Sequence, residues 1–352
     1  MRIRPLTRVI AGLAVLATAA PAMAAVTARG AVPDDNPRAG WLDRYAQARQ
    51  GPEQTDRVSQ SFKVGADGSL DLTGISGDVR VTGGGGTEIT VEATKRVRHR
   101  DADQARRLLN DLRVDMTHVG SRVEVRTIYP RNRGERGISA RVDYVVSVPA
   151  GAAVAVKSIS GDVLVTNVRG EVRAETVSGD VEVSATPNVA VAKTISGNVT
   201  ARDIGSANML SLGTVSGTVI ATGLKVRALD AGSVSGDVRI SGVQIERVEA
   251  RSVSGNIEFD SPLSKGGRYE FTSHSGDVRI ALVGTTGFEL DADTFSGSVR
   301  SDLPVTLRGI GQPGDRRRGT SNRAIRGSYG DGSAILSVRS HSGSVVITRS
   351  TR

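Results

Sequence analysis

The chain has 352 residues, with 46 Lys and Arg against 37 Asp and Glu, 42 Gly and no Cys. Because it lacks thiols, the sequence excludes disulfide frameworks, thiolate zinc sites, iron–sulfur clusters and cysteine nucleophiles. Hydrophobic residues make up 38% and charged residues 24%, which is typical of a folded chain. The basic excess is small and aromatic residues are only 3%, so we expect no nucleic-acid partner.

The first 24 residues have the pattern of a secretory signal peptide, and we expect cleavage after Ala24. Three arginines lie within the first eight residues, and an apolar run follows from Val9 to Ala20. This run is shorter than the roughly 20 residues that a membrane-spanning helix needs. The sequence therefore predicts an exported protein without a transmembrane anchor, located in the periplasm or outside the cell at its surface.

The region after the signal peptide divides into a leader and a cap. Residues 25–57 are polar and show no hydrophobic periodicity, so they predict a flexible leader. Residues 58–150 alternate in the manner of strands and are interpreted as an irregular N-terminal β region that caps the rest. Apolar residues between Ala105 and Leu112 recur at helical spacing, which predicts one short α-helix at about residues 101–116.

Internal repetition dominates residues 151–352. The dipeptide Ser-Gly recurs in steps of 18 to 21 residues between Ser160 and Ser296. Three residues after each Ser the chain carries Val or Ile, and charged residues alternate with apolar ones beyond it, as in a half-buried strand. The repeated serines are Ser76, Ser160, Ser178, Ser196, Ser216, Ser235, Ser254, Ser275, Ser296 and Ser342. Such constancy predicts a solenoid in which each repeat forms one coil of about 19 residues.

Each coil is predicted to contain a strand, a Ser-Gly-Asp/Asn corner and a second strand. Gly allows a sharp turn with positive φ, and the short Asp or Asn side chain can cap turn amides. The structural corner motif consists of Ser160, Gly161, Asp162, Ser178, Gly179, Asp180, Ser235, Gly236, Asp237, Ser275, Gly276 and Asp277. The predicted fold class is all-β, a single-stranded parallel β-helix or solenoid, with the irregular β region and the short helix before it.

The two residues that precede each corner Ser give conflicting indications of which side chain is buried. The residue two before each Ser is Ser or Thr in the regular coils, and the residue immediately before the Ser is apolar in most coils. Both cannot point into the core from one straight strand. We therefore expect the backbone to bend at this point, and the sequence leaves open which of the two side chains enters the core.

The 46-residue step between Ser296 and Ser342 corresponds to about two coils with one motif lost. It contains a Gly- and Arg-rich loop at about residues 309–333, which includes Arg316, Arg317 and Arg318. The loop is interpreted as a solvated insertion, and the three arginines are the candidate contact for a polyanion.

The histidines and the corner Asp and Asn residues are the candidate metal ligands, and their places in the repeat give them structural roles. His274 and His341 share the position before the Ser, but their separation in the sequence predicts about three coils, or about 14 Å, between them. The corner Asp and Asn residues could in principle bind calcium, yet turn chemistry accounts for them. The sequence therefore predicts no metal site, no cofactor and no catalytic residue.

The repeats resemble a bacterial family of adhesin-like proteins of unknown function that is related to the head GIN adhesin-like domains. The resemblance rests on Leu70-Asp71-Leu72 before Ile75-Ser76-Gly77-Asp78-Val79, on Val148-Pro149, and on the Ser-Gly-Asp-Val series up to Ile347. It covers about residues 60 to 349. The resemblance implies an exported right-handed β-helix and supplies no catalytic residues.

The expected function is that of an exported, non-enzymatic, adhesin-like β-solenoid that serves as a binding or scaffold protein at the surface or in the periplasm. An envelope protein or an envelope polysaccharide is the expected partner, because extended repeat surfaces commonly bind such partners. The alternative is a carbohydrate-active enzyme of the β-helix type, a polysaccharide lyase or hydrolase with clustered carboxylates.

Overall fold

The structure is a computed structural model that describes residues 53–129, 139–307 and 324–350. Within these ranges the chain forms 27 strands and one short helix, which confirms the all-β prediction. The predicted signal peptide and most of the predicted leader lie outside the described residues.

The strands fall into three groups along the chain. The N-terminal elements are β1 (Glu53–Lys63), β2 (Ser69–Thr73), β3 (Val79–Gly84), β4 (Glu88–Arg98), α1 (Ala102–Asp111), β5 (Arg113–Val119), β6 (Arg122–Ile128) and β7 (Ser139–Pro149). The regular coils contain β8 (Ala153–Lys157), β9 (Val163–Thr166), β10 (Val172–Glu175), β11 (Val181–Ser184), β12 (Val189–Lys193), β13 (Val199–Arg202), β14 (Gly205–Ser216), β15 (Val219–Thr222), β16 (Lys225–Ser235), β17 (Val238–Ser241), β18 (Gln244–Ser254), β19 (Ile257–Pro262), β20 (Arg268–Ser275) and β21 (Val278–Val283). The C-terminal elements are β22 (Phe288–Ser296), β23 (Val299–Ser301), β24 (Thr306–Leu307), β25 (Ile325–Tyr329), β26 (Ala334–Ser342) and β27 (Val345–Arg349).

Each regular coil contributes one strand to each of two facing sheets. In the described residues, sheet A has thirteen strands and sheet B fourteen. From β8 to β21, successive coils pair in parallel, so that Val163, Val181, Val199 and Val219 lie side by side in sheet A. These valines and their counterparts in sheet B are buried in one continuous core. The prediction of a parallel solenoid is therefore confirmed.

At both ends, the order of coils in the stack differs from their order in the chain. The N-terminal coil β2–β3 lies between β8–β9 and the later pair β6–β7. At the other end, the last coil, β26–β27, lies between β20–β21 and β22–β23. The prediction of two coils with one motif lost between Ser296 and Ser342 is therefore wrong, because the chain returns and fills a place that it had passed over.

The N-terminal boundaries also differ from those predicted. Strand β1 begins at Glu53, inside the predicted leader, because it pairs with β4 along its whole length. The solenoid does not begin at residue 151, since β2 and β3 already stack on β8 and β9. The helix ends at Asp111 and not at residue 116, because the half-buried Val114 and Met116 alternate with exposed residues and pair in β5.

The predicted Gly- and Arg-rich loop also contains regular structure in its described part. Strand β25 pairs antiparallel with β22 and with β24, so the last residues of the predicted loop cover the outer edge of sheet B. An uncovered edge of this kind would be open to pairing with another chain. Arg316, Arg317 and Arg318 lie outside the described residues, and their contact with a polyanion stays a prediction.

The Gly column at the corners is required by the closeness of the coils. A Cβ added to Gly236 would overlap the backbone carbonyl of Gly217 in the preceding coil, and the same overlap recurs at the other corner glycines. These carbonyl groups cannot move aside as a flexible side chain can, because hydrogen bonds between coils hold the corner backbone in place, such as the one from the Gly236 amide to the Ser254 carbonyl at 3.0 Å. Any side chain at this position would therefore push two coils apart.

We expect Gly236→Ala to lower the free energy of unfolding by about 3 kcal/mol or more, from overpacking and the positive φ of 150°. Gly232→Ala is a matched control four residues earlier in the chain, where the nearest atom to an added Cβ is 3.8 Å away. Denaturant unfolding of the two variants checks the difference. Equal stability of the two variants would contradict the stacking requirement.

Tyr144 in β7 is buried within the N-terminal β region, and its hydroxyl shares a hydrogen bond of 2.6 Å with Thr127. Burial raises the pKa of Tyr144 from 10.0 to about 12, because the charged phenolate loses its hydration. An unfolded tyrosine ionises near its ordinary pKa, so the folded state binds this proton more tightly than the unfolded state does.

The contribution of Tyr144 to stability is therefore complete below about pH 10 and is lost as the pH rises from 10 to about 12. Tyr144→Phe removes this ionisation, and we expect a flatter decline of the unfolding free energy in that pH range than in the wild type. Chemical denaturation at several alkaline pH values measures it. The unfolding free energies of both proteins below pH 10, where Tyr144 keeps its proton in either state, serve as the reference.

Candidate binding surface on the Ser-Gly corner

The side chain two residues before each Ser points into the solenoid. These Ser and Thr residues are at most 6% exposed in the regular coils. Thr194 Oγ1 donates to the carbonyl of Gly179 at 2.9 Å, and Ser233 Oγ donates to the carbonyl of Gly217 at 2.9 Å. The same bond to the Gly of the preceding coil is made by Thr176, Thr214, Ser252, Ser273, Thr294 and Ser340. The hydroxyl column thus satisfies backbone carbonyls that the corner would otherwise bury unpaired.

The Asp and Asn residues of the corner form a second column. Asp162 Oδ1 accepts a hydrogen bond from the Asp180 amide at 2.8 Å, and Asp180 Oδ1 accepts one from the Asn198 amide at 2.7 Å. The pattern continues from Asn198 to Thr218 and from Asp237 to Asn256. Because an amide oxygen accepts such a bond as well as a carboxylate does, the corner can use either residue. No group of three or more His, Asp or Glu able to hold a metal ion occurs among the described residues.

The residue immediately before each Ser points outward into solvent. Ile159, Val177 and Ile195 are 51%, 40% and 49% exposed, and the following coils continue in the same way. Neighbouring corners are held in register, since Ser160, Ser178 and Ser196 form parallel bridges. In stack order this column, here named the corner ridge, begins with the half-buried Ile75 and continues with the exposed residues Ile159, Val177, Ile195, Val215, Val234, Val253, His274, His341 and Phe295.

The corner ridge extends along nearly the whole stack. At about 4.8 Å per coil, its ten residues span roughly 43 Å. Branched aliphatic side chains fill its middle, and three aromatic rings end it. Six adjacent aliphatic side chains of the ridge, from Ile159 to Val253, are exposed, and a row of exposed apolar side chains is a candidate surface for interaction.

The aromatic end of the ridge corrects the predicted distance between the two histidines. His274 and His341 are not three coils apart; their rings are stacked, with centroids 4.7 Å apart and planes inclined by 4°. Phe295 stacks on the other face of His341 at 4.9 Å. The prediction failed because it assumed that coils stack in chain order, whereas the coil that carries His341 lies between those that carry His274 and Phe295.

Residues 172–348 match the Toastrack DUF4097 family. This match covers half of the chain and includes the Ser-Gly corners from Ser178 to Ser342. The chain belongs to the Toastrack DUF4097 family. The resemblance of the repeats to an adhesin-like family of unknown function is thereby confirmed, and the Toastrack match agrees with the β-solenoid described above. No curated protein matches the chain.

Several solved structures resemble the Toastrack chain at low identity. A "putative cell adhesion protein" from Clostridium sporogenes is 9% identical, covers 84% of this chain and 100% of its own, and has a TM-score of 0.22. A "putative lipid binding protein" from Parabacteroides distasonis is 13% identical, with coverages of 83% and 96% and a TM-score of 0.44. A "putative adhesin" from Bacteroides fragilis is 10% identical, with coverages of 83% and 97% and a TM-score of 0.38.

The role of the inward hydroxyl column can be tested on Ser233 and Ser158, which both lie two residues before a corner Ser. Ser233 Oγ bonds the Gly217 carbonyl, whereas the buried Ser158 Oγ has no hydrogen-bond partner in the described residues. We expect Ser233→Ala to lower the unfolding free energy by about 1 kcal/mol, from the lost hydrogen bond. Ser158→Ala should be neutral or stabilising. Thermal and denaturant unfolding compare the two, and an equal loss would contradict the assigned role of the hydroxyl column.

Proposed function

We propose that this Toastrack chain is an exported, non-enzymatic binding protein of the adhesin type, and that the corner ridge binds a protein of the bacterial envelope. The observation that carries the proposal is the row of exposed Ile and Val residues from Ile159 to Val253. The solenoid holds these side chains at fixed spacing, so a partner can bury them without ordering a loop first.

The energetic argument for a partner is the cost of leaving the ridge in water. Fully burying one Val or Ile side chain contributes about 1.5 to 3 kcal/mol. Six adjacent coils each expose between 40% and 51% of such a side chain. Because every corner repeats the same outward position, the exposed area adds up along one line and does not scatter over the surface.

A protein suits this ridge better than a polysaccharide does. Its middle consists of aliphatic side chains, which offer neither hydrogen bonds to sugar hydroxyl groups nor flat rings for stacking on sugar faces. Buried apolar patches bordered by polar residues are characteristic of protein interfaces. On some strands an exposed charged residue lies two positions before the ridge residue, as Lys193 and Arg251 do.

The alternative of a carbohydrate-active enzyme needs two carboxylates that are free to act on one glycosidic bond. A groove of about 300 Å³ is lined by Asp71 and Glu171 among other residues. Asp71 is paired with Arg122 at 2.8 Å, and Glu171 is paired with Arg173 at 2.6 Å. Both carboxylates are thus engaged by neighbouring arginines and do not stand free to act on one glycosidic bond, so this groove favours the non-enzymatic proposal.

Export is supported by the signal-peptide pattern of the first 24 residues, which lie outside the described structure. In the part of the chain that the structure describes, no helix has the length and hydropathy of a membrane span. We place the folded solenoid in the periplasm or at the cell surface.

The proposal is tested with the mature chain and isolated envelopes of the bacterium that encodes it. The triple variant Val177→Ser, Ile195→Ser and Val215→Ser should lower retention on envelopes at least about tenfold, which corresponds to about 1.4 kcal/mol of lost binding. The matched control changes Val119, Met209 and Ile335 to Ser. These residues are exposed to 72%, 55% and 41% away from the ridge, and retention should not change.

Equal retention of wild type and ridge variant would overturn the proposed role of the ridge. Binding that survives protease treatment of the envelopes but is lost on glycan removal would contradict a protein partner. Release of sugar fragments from envelope glycan by the purified chain would contradict the non-enzymatic assignment. Far-UV circular dichroism confirms that each variant keeps its β structure.

A further inference from the structure

His274 and His341 are placed side by side by the inserted C-terminal coil. Ser273 and Ser275 in β20 pair in register with Ser340 and Ser342 in β26, so the two histidines occupy the same position on adjacent coils. Their imidazole rings are nearly parallel with centroids 4.7 Å apart. Both side chains are exposed at the end of the corner ridge.

We propose that His274 and His341 together form a binding site for a divalent transition-metal ion of the kind that prefers imidazole, such as Zn²⁺ or Cu²⁺. Neutral imidazole nitrogen is a preferred ligand of zinc, copper and nickel ions. Two nitrogens from adjacent coils and water molecules would complete the coordination shell. This site is independent of the protein-binding role proposed for the ridge.

The ring nitrogens of this pair are available for a ligand. Among the described residues, no protein group hydrogen-bonds the ring of His274 or of His341. The other two histidines of the chain do not form such a pair. His99 Nδ1 accepts a bond from the Asp101 amide at 3.1 Å, and His118 packs singly against Phe62 with centroids 5.5 Å apart.

The two imidazole rings have to turn in order to accept an ion. With metal–nitrogen distances of about 2.0–2.1 Å, two nitrogens in tetrahedral coordination lie roughly 3.4 Å apart. The two rings are parallel with centroids 4.7 Å apart, so their in-plane lone pairs do not converge, and both rings must turn toward each other before they can share one ion. Exposed side chains can make this change by rotation about their own bonds, while the backbone spacing stays fixed by the strand pairing.

The surroundings of the pair do not oppose a cation. Phe295 stacks on the face of His341, whereas a metal ion binds imidazole at the ring edge, in the plane of the ring. Two residues before these rings, Arg339 and Asp293 lie in register on the same outward side of their strands. Their opposite charges offset each other near the proposed site.

The test is a calorimetric titration of the full mature chain, without a polyhistidine tag, with ZnCl₂. We expect one ion per chain. His274→Val and His341→Val should each weaken binding by at least about tenfold, because even residues that only orient a ligand contribute about tenfold to 100-fold. Val is the residue that other coils carry at this position, as in Val234 and Val253, so both variants should fold. His118→Ala is the control and should bind as the wild type does.

A spectroscopic measurement separates this site from unspecific binding. One equivalent of Cu²⁺ should show coupling to two nitrogen atoms in its electron paramagnetic resonance spectrum, and the coupling should be lost in either Val variant. Binding that is unaffected by the Val variants, or that falls equally in His118→Ala, would overturn the proposal. A wild-type chain that binds neither ion would overturn it as well.

Discussion

The backbone contact between consecutive Ser-Gly corners is the constraint on which the rest of the solenoid depends. The Gly161 amide donates to the Ser178 carbonyl at 2.8 Å, and the Gly179 amide donates to the Ser196 carbonyl at 2.9 Å. No side chain fits between these glycines. The residue two before the Ser must then turn inward to satisfy the Gly carbonyl, and its neighbour must turn outward. The exposed ridge is thus a direct consequence of how closely the corners stack.

The coil length, the strands and most of the core could be predicted from the sequence, because a period near 19 residues combined with two-residue alternation leaves one arrangement for the apolar side chains. The orientation of the two residues before the Ser could not, because apolarity alone favours burying Val or Ile. One signal was present. The inner position accepts only Ser or Thr in the regular coils, whereas the outer position varies from Ile to His and Phe. A position restricted to hydroxyl residues indicates that the hydroxyl group is used.

The order of the coils at the two ends could not be predicted, because repeats that resemble one another can stack in any order. Strand β26 pairs with β20 and β22 in the same register in which regular coils pair with their neighbours. The stack is therefore continuous only after the last residues of the chain have taken their place. Such contacts join residues far apart in sequence, which slows folding in general, but they also leave the final coil held on both sides.

The same insertion determines the chemistry of the ridge end. In chain order, His274 would be followed on the stack by Phe295, and His341 would lie beyond both of them. Insertion of the last coil instead places His341 between the other two rings, so the two imidazoles become neighbours although 67 residues separate them in the sequence. The coils that repeat the aliphatic pattern maintain the ridge, and the coils that depart from it supply the two imidazole rings and the phenyl ring at its end. A departure from the repeat therefore has to be judged by its place in the stack and not by its distance along the chain.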